Sequence, residues 1–203
     1  MSDQGGEGAP TPPEAMVRVQ PISDSNAFKR HLLRTFEQGQ PHYAYADELD
    51  AAPCKLWPEM VPDFVEAWQP IDTGGSGPKR SVIALALTFS MPVGTDPAVN
   101  EAAVLAMARK VFAGHDQIWV AGEHEGPFVK LLVQYWNDEG RTLSSGPADL
   151  RRYRAAYARE MTARGVQAQA TTRGSRNLGF GEARNPYKAR QRSTDHPSRS
   201  DGQ

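Results

Sequence analysis

The segment Ser81 to Ser90, SVIALALTFS, carries no charge and is apolar at almost every position over the length of one strand. A run that short and that continuously apolar cannot lie on a surface and is too short for a buried helix, so it predicts a central β-strand. What surrounds it follows from periodicity. Upstream, Ser23 to Phe36 opens on cap-type residues and spaces Phe28, Leu32, Leu33 and Phe36 as a helix does, stopping before Gly39. A shorter helix is predicted over Pro58 to Trp68, with Val61, Phe64, Val65 and Trp68 on one side. Downstream, Asp96-Pro97 opens a helix to about Ala113 with an apolar stripe of Val104, Met107, Ala108 and Val111, closed by Gly114. Strands are predicted at Gln117 to Ala121 and Phe128 to Trp136, a tight reversal at Asn137 to Gly140, and a last helix from Pro147 to Arg164. This helix turns Leu150, Tyr153, Tyr157 and Met161 inward. The order predicts an α+β fold, a mainly antiparallel sheet covered by helices.

The ends of the chain read differently. Met1 to Gln20 is rich in Gly, Pro and Glu without periodicity, and the chain beyond Thr172 is rich in Arg, Ser and Gly with little to bury. We expect a disordered N-terminal tail over 1–20, one domain over 21–172 and a basic disordered tail over 173–203. The formal net charge of -1 hides an asymmetry: residues 1–150 carry 11 Lys/Arg against 20 Asp/Glu, and residues 151–203 carry 12 against 4. A basic end of this kind meets nucleic acid or an acidic partner, or is a solvated tail. No apolar run approaches the roughly 20 residues that span a bilayer, which excludes membrane insertion. The single Cys54 excludes an intramolecular disulfide and a Cys-cluster zinc site, and fits a reducing, cytoplasmic setting.

Phosphate-loop, dinucleotide-binding, zinc-protease and nucleophile-elbow patterns are absent. His31, His42, His115, His124 and His196 form no HxH or HxxxH pair able to clamp a metal from one strand or helix. His124 lies between Glu123 and Glu125, a set that could hold Mg or Mn, yet neighbours on an extended chain point in opposite directions and do not converge.

Several phrases in order do carry a signal. VIALALTFSMPVGTDP leads into the helix ending KVFAGH; after IWVAGEHEGPFVKLLVQYW come Gly140-Arg141-Thr142-Leu143, then Ala148-Asp149-Leu150-Arg151-Arg152-Tyr153-Arg154, then Gly165-Val166 through Thr171-Thr172-Arg173. Over roughly Arg80 to Arg176 the chain resembles the relaxases of the MobA/MobL mobilisation family, the conjugative nicking enzymes to which the T-DNA border endonucleases are related. The resemblance implies a relaxase-like sheet and a role with DNA in conjugative transfer of a plasmid or mobile element. Its partners would be single-stranded or transfer-origin DNA, together with relaxosome or coupling proteins of a type IV secretion route.

The same resemblance shows a degenerate centre. The family's His-Pro-His-Val-His-Leu stands here as Gly126-Pro127-Phe128-Val129-Lys130-Leu131, so Phe128 and Lys130 replace two metal ligands, and the third falls near Ala121. Alternation places Phe128, Lys130, Leu132 and Gln134 on one face. The nucleophilic tyrosine expected beside the first helix is matched by Thr35 or Phe36, neither of which can form a phosphotyrosine; Tyr43 and Tyr45 lie further along. The expectation is therefore a DNA-binding protein without nicking activity and without a cofactor. Lys130, Arg151, Arg152, Arg154, Arg159, Arg173 and Arg176 would contact DNA. For Lys130 in an apolar strand we expect a carboxylate partner such as Glu123 or Glu125, or open access to solvent. Two alternatives stand beside this: a divergent nicking enzyme using Tyr43 or Tyr45 with His124 and Mg or Mn, and an adaptor or regulator that binds no nucleic acid.

Overall fold

A computed structural model describes residues 13–69, 82–137 and 139–170. The order of elements is β1 (Met16–Ile22), α1 (Ser25–Gln38), β2 (His42–Ala44), β3 (Cys54–Lys55), a 3-10 turn (Pro58–Met60), α2 (Val61–Ala67), β4 (Ala84–Ser90), α3 (Pro97–Val111), β5 (Gln117–Glu123), β6 (Pro127–Gln134) and α4 (Pro147–Ala163). The strands form one six-stranded sheet in the order β1-β4-β6-β5-β2-β3, and every pairing is antiparallel. The α+β expectation holds, with β4, β6 and β5 inside the sheet, flanked on both sides, as their apolar sequences require.

Because side chains alternate, each central strand feeds two cores. Leu85, Leu87 and Phe89 of β4, with Val129, Leu131 and Val133 of β6, pack against Met107 and Ala108 of α3 and Tyr153, Tyr157 and Met161 of α4. On the other face Ala84, Ala86, Ile118 and Leu132 pack against Phe28 and Leu32 of α1, Val61 and Phe64 of α2, and Trp68. The sheet is the middle layer of three.

The helix ends follow their sequences. Asp24 caps α1 by accepting from the Ala27 amide at 2.7 Å, and Asp96 caps α3 through the Ala98 amide at 2.8 Å, each worth about 1 kcal/mol. Pro97 begins α3, and Arg109 and Lys110 occupy its last turn, where the helix dipole favours cations. The β5–β6 hairpin turns at 124–126, with the His124 amide donating to the Gly126 carbonyl. Gly126 has φ +114, and a Cβ there would stand 2.4 Å from the Met91 carbonyl oxygen, so glycine is required on both counts.

Four expectations are corrected. Met16–Ile22 is not part of a disordered tail: Val17 and Val19 alternate with Arg18 and Gln20, and Val17 is buried against the α3–α4 core. That period-2 pattern is interrupted by Pro21, which is tolerated because β1 is an edge strand whose odd-numbered backbone groups face away from β4. Two short strands, β2 and β3, form where the sequence predicts no element. The segment predicted as one helix from Pro58 begins as a 3-10 turn, since Pro62 leaves α2 to run only from Val61 to Ala67. Leu33, predicted on the buried side of α1, is 43% exposed, while Thr35 is buried and donates its hydroxyl to the Leu32 carbonyl at 2.5 Å. The reversal at Asn137 to Gly140 is present, closed by the Gly140 amide on the Asn137 carbonyl, and it pairs Trp136 with Thr142.

Candidate nucleic-acid interface

The antiparallel register lines up a row of side chains across the sheet. Arg18 of β1 opposes Thr88 of β4, which opposes Lys130 of β6, which opposes Val120 of β5. Directly paired residues share a face, so Arg18 and Lys130 flank Thr88, one strand spacing of about 4.8 Å away on either side. This is the face covered by α1 and α2. The next row inward, Ala86, Leu132 and Ile118, is buried beneath those helices. Cover thins across the Lys130 row: Val120 is fully buried, close to Gly39 at the end of α1, Thr88 and Lys130 are half-buried, and Arg18 is exposed.

Lys130 does not pair with Glu123 or Glu125, which are exposed at the hairpin and belong to the far end of β5 and its turn. The stem of Lys130 is buried enough to hold its pKa below the usual lysine value, an effect reinforced by the Arg34 guanidinium and opposed by Glu37, both on α1. Among the described residues the ion pairs lie elsewhere, at Lys110–Glu160, Arg141–Glu139, Arg152–Asp149 and Arg164–Glu160. α1 brings a further residue that sequence patterns could not single out. His31 is half-buried, its Nδ1 is buried with no hydrogen-bond partner, and its pKa is lowered first by burial and then by Lys130, Arg34 and Arg30. Being far from Lys130 in sequence, it has no local motif to announce it; its position one helical turn before Thr35 on the sheet-facing side was the available signal.

The outermost row holds Ser90, Phe128 and Gly122. A Cβ on Gly122 would fall 2.5 Å from Cζ of Phe128 and 3.3 Å from the Gln38 carbonyl oxygen. The Phe128 ring therefore lies down over Gly122 of β5, where the C-terminal end of α1 also approaches the sheet. Ala121, the position nearest to the expected third ligand, turns to the α3–α4 face, where it packs beside the closed core. The three positions implied by the resemblance thus do not converge: Phe128 and Lys130 share a face that Ala121 does not.

These residues do not fit a divalent cation. Phe128 offers no ligand, Lys130 and Arg34 repel positive charge, and among the described residues there is no group of three His, Cys, Asp or Glu side chains able to hold a metal. His124 is exposed on the hairpin. Tyr43 and Tyr45 stand two strands from β6, in an aromatic cluster with Phe64 of α2 at centroid distances of 5.1 and 6.3 Å. The Tyr43 hydroxyl has its pKa raised, first by burial and then by Tyr45 and Cys54, which opposes formation of a phenolate nucleophile.

The other predicted cations are separated from Lys130 by the thickness of the sheet. Arg151, Arg152, Arg154 and Arg159 are on α4, on the closed face. Arg152 pairs with Asp149 at 3.4 Å and lies 5.4 Å from the Tyr153 ring centre, and Arg154 donates to the Val17 carbonyl at 3.3 Å, tying α4 to β1. Arg151 and Arg159 are exposed. Arg173 and Arg176 lie outside the described residues. Of the tryptophans, Trp68 and Trp119 are buried, Trp136 is half-buried, and Trp57 is 49% exposed beside the edge strand β3.

No helix among the described residues is long and apolar enough to cross a membrane. No family model matches the chain, and no curated protein matches it. Among solved structures it is similar to the MobM relaxase domain (MOBV, Mob_Pre) bound to 26-nucleotide pMV158 oriT DNA, at 9% identity and a TM-score of 0.48 over 86% of this chain and 98% of that one. A Mn-bound MobM structure with pMV158 oriT DNA matches at 10% identity and a TM-score of 0.49, over 78% of this chain and 90% of that one. A structure described under the molecular basis of vancomycin resistance transfer in Staphylococcus aureus matches at 12% identity and a TM-score of 0.46, over 78% of this chain and 99% of that one. At these identities and TM-scores the likeness assigns neither residues nor chemistry to the chain.

Proposed function

We propose that this chain is a DNA-binding protein of relaxase type, serving conjugative transfer of a plasmid or mobile element without cutting DNA itself. The observation that carries the proposal is the Lys130 row. At the sheet position where the sequence resemblance implies a metal and a scissile phosphate, this chain carries an ammonium within range of the Arg34 charge and in one register row with Arg18, across Thr88. A cation in that place can hold a DNA phosphate, and it cannot ligate the metal that would activate one. The clustering of Tyr43 and Tyr45 with Phe64 supports a packing role for both rather than attack on phosphorus.

Within this proposal the domain spans about 21–172, extended at its N-terminal side by β1, and the cations beyond Thr172 add affinity through phosphate contacts without base choice. Arg151 and Arg159 would serve a second, separate backbone contact on α4. Relaxosome or coupling proteins are the natural partners of such a module. A gel shift with single-stranded and duplex oligonucleotides, paired with a supercoiled-plasmid assay in Mg or Mn, tests the proposal. It expects salt-sensitive binding and intact plasmid. A nicked product lost in Tyr43→Phe or Tyr45→Phe would overturn it in favour of a divergent nicking enzyme, and absence of any DNA binding would favour the adaptor.

A further inference from the structure

We infer that the half-open end of the α1–α2 face is a pocket for a phosphomonoester, the terminal phosphate of a nucleic-acid strand, seated among Lys130, Arg34, Arg18 and His31. The choice of nucleic acid as carrier rests on the DNA-binding proposal; the pocket itself rests on its own geometry. Three features distinguish it from a surface that tracks a continuous backbone.

The first is charge. Lys130 and Arg18 sit on either side of Thr88 in one register row, Arg34 approaches from α1, and Glu37 is the carboxylate acting on Lys130. The balance is positive by more than one charge, which suits the dianion of a terminal phosphate better than the single charge of a diester. The second is shape. Phe128 lies over Gly122, which the Gln38 carbonyl also approaches, and closes one corner, while buried Leu132 and Ala86 close the inner side beneath α1 and α2. The face stays open on the side of Thr88 and the exposed Arg18. The third is hydrogen bonding. The buried Nδ1 of His31 lacks a partner, and a phosphate oxygen supplies the acceptor it needs; the half-buried hydroxyls of Thr88 and Ser90 share the face.

The experiment is fluorescence anisotropy with the full chain and one short single-stranded oligonucleotide in three forms: phosphorylated at the 5′ end, phosphorylated at the 3′ end, and bearing hydroxyls at both. One phosphorylated form should bind about tenfold more tightly than the hydroxyl form, as expected for new charge-assisted hydrogen bonds. That gain should vanish in Lys130→Met and in Arg34→Gln and be competed away by inorganic phosphate. Arg34 is exposed on α1, so its variant keeps the test sound if Lys130→Met disturbs folding. Equal binding of all three forms would overturn the pocket while leaving the DNA-binding proposal intact. Failure of every oligonucleotide to bind, with inorganic phosphate still shifting the His31 imidazole resonances in wild type and not in Arg34→Gln, would retain the pocket for free phosphate and overturn the DNA proposal instead.

Discussion

The two faces of the sheet are built from the same strands and end differently. On one, α3 and α4, with 15 and 17 residues, extend about 22 and 25 Å and bury Leu87, Phe89 and Leu131 completely. On the other, α1 has 14 residues but α2 only 7, about 10 Å of cover, and the row holding Arg18, Thr88 and Lys130 stays partly open. The closed face supplies stability and the shortfall of cover supplies a site. A polar row can persist in an otherwise apolar sheet because the helices cover it only in part, leaving Thr88 and Lys130 half-buried and Arg18 exposed.

Truncation should separate the faces most sharply. Phe89 is buried and meets the Tyr157 ring at 5.2 Å, so Phe89→Ala should cost about 3–5 kcal/mol in urea unfolding. Phe128→Ala, the same chemical change on the half-open face, should cost about 1–2 kcal/mol because a half-exposed ring loses less on removal. Equal costs would mean that the two faces are packed alike and that the contrast drawn above is wrong.

A smaller effect tests the corner where Phe128 rests. Gly122→Ala places a methyl group 2.5 Å from the Phe128 ring, and the expected loss is about 1–3 kcal/mol from overpacking. In a Phe128→Ala background the same substitution should cost little, so a double-mutant cycle should give a coupling close to the single-mutant loss. An additive cycle would show that the ring does not lie over β5.

The closed face was the more legible of the two. The unbroken run in β4, the apolar alternation of β6 and the inward tyrosines of α4 each state their burial locally, and the structure places them accordingly. Lys130 and Phe128 were also readable, because alternation alone assigns their face. What escaped was whatever depends on residues distant in sequence. β1 was masked by Pro21 and by two exposed polar residues in a short strand; β2 and β3 are too short to show a period. Of the two alternatives expected for Lys130, a carboxylate such as Glu123 or Glu125 does not meet it, since their place on β5 and its turn carries them past its row; it is instead half-open to solvent, with Arg34, Glu37 and His31 of α1 within electrostatic range. Likewise Arg151, Arg152, Arg154 and Arg159 of α4 are expected from sequence to contact DNA along with Lys130, and only the three-layer arrangement puts the sheet between them.

The site should also carry a cost in stability. Lys130 is a half-buried ammonium whose charged form is opposed by burial and by Arg34 and favoured by Glu37, so Lys130→Met should raise stability at neutral pH by less than about 1 kcal/mol, solvent screening reducing the gain, while weakening DNA binding. The pH dependence has a definite sign. With the folded pKa below the unfolded one, the folded state holds fewer protons as the lysine titrates, so wild-type stability rises as pH approaches the ordinary lysine range and the advantage of the variant narrows. A variant less stable than wild type at pH 7 would mean that Lys130 is satisfied by a partner rather than held in reserve for a ligand.

The smallest expected effect, and the one most specific to the open face, is at His31. Its pKa is lowered by burial and then by Lys130, Arg34 and Arg30; that of His115 is lowered by burial, with its Nδ1 bonded to the Gln134 carbonyl at 2.9 Å. For both residues the unfolded chain binds more protons below the ordinary histidine value of about 6.5, so stability should fall as pH drops from 7 toward 5. Thermal unfolding across that range should show a shallower fall in His31→Gln than in wild type. Sulfate distinguishes the two histidines, because it remains a dianion throughout and its effect reports the protein's own protonation. Seated beside His31, it would favour the imidazolium and raise that residue's pKa, so added sulfate should flatten the wild-type profile toward that of His31→Gln and leave the His115 contribution in place. If sulfate moved both profiles equally, it would be acting through general exclusion from the protein surface, and the open row would then differ from the closed face only in its packing.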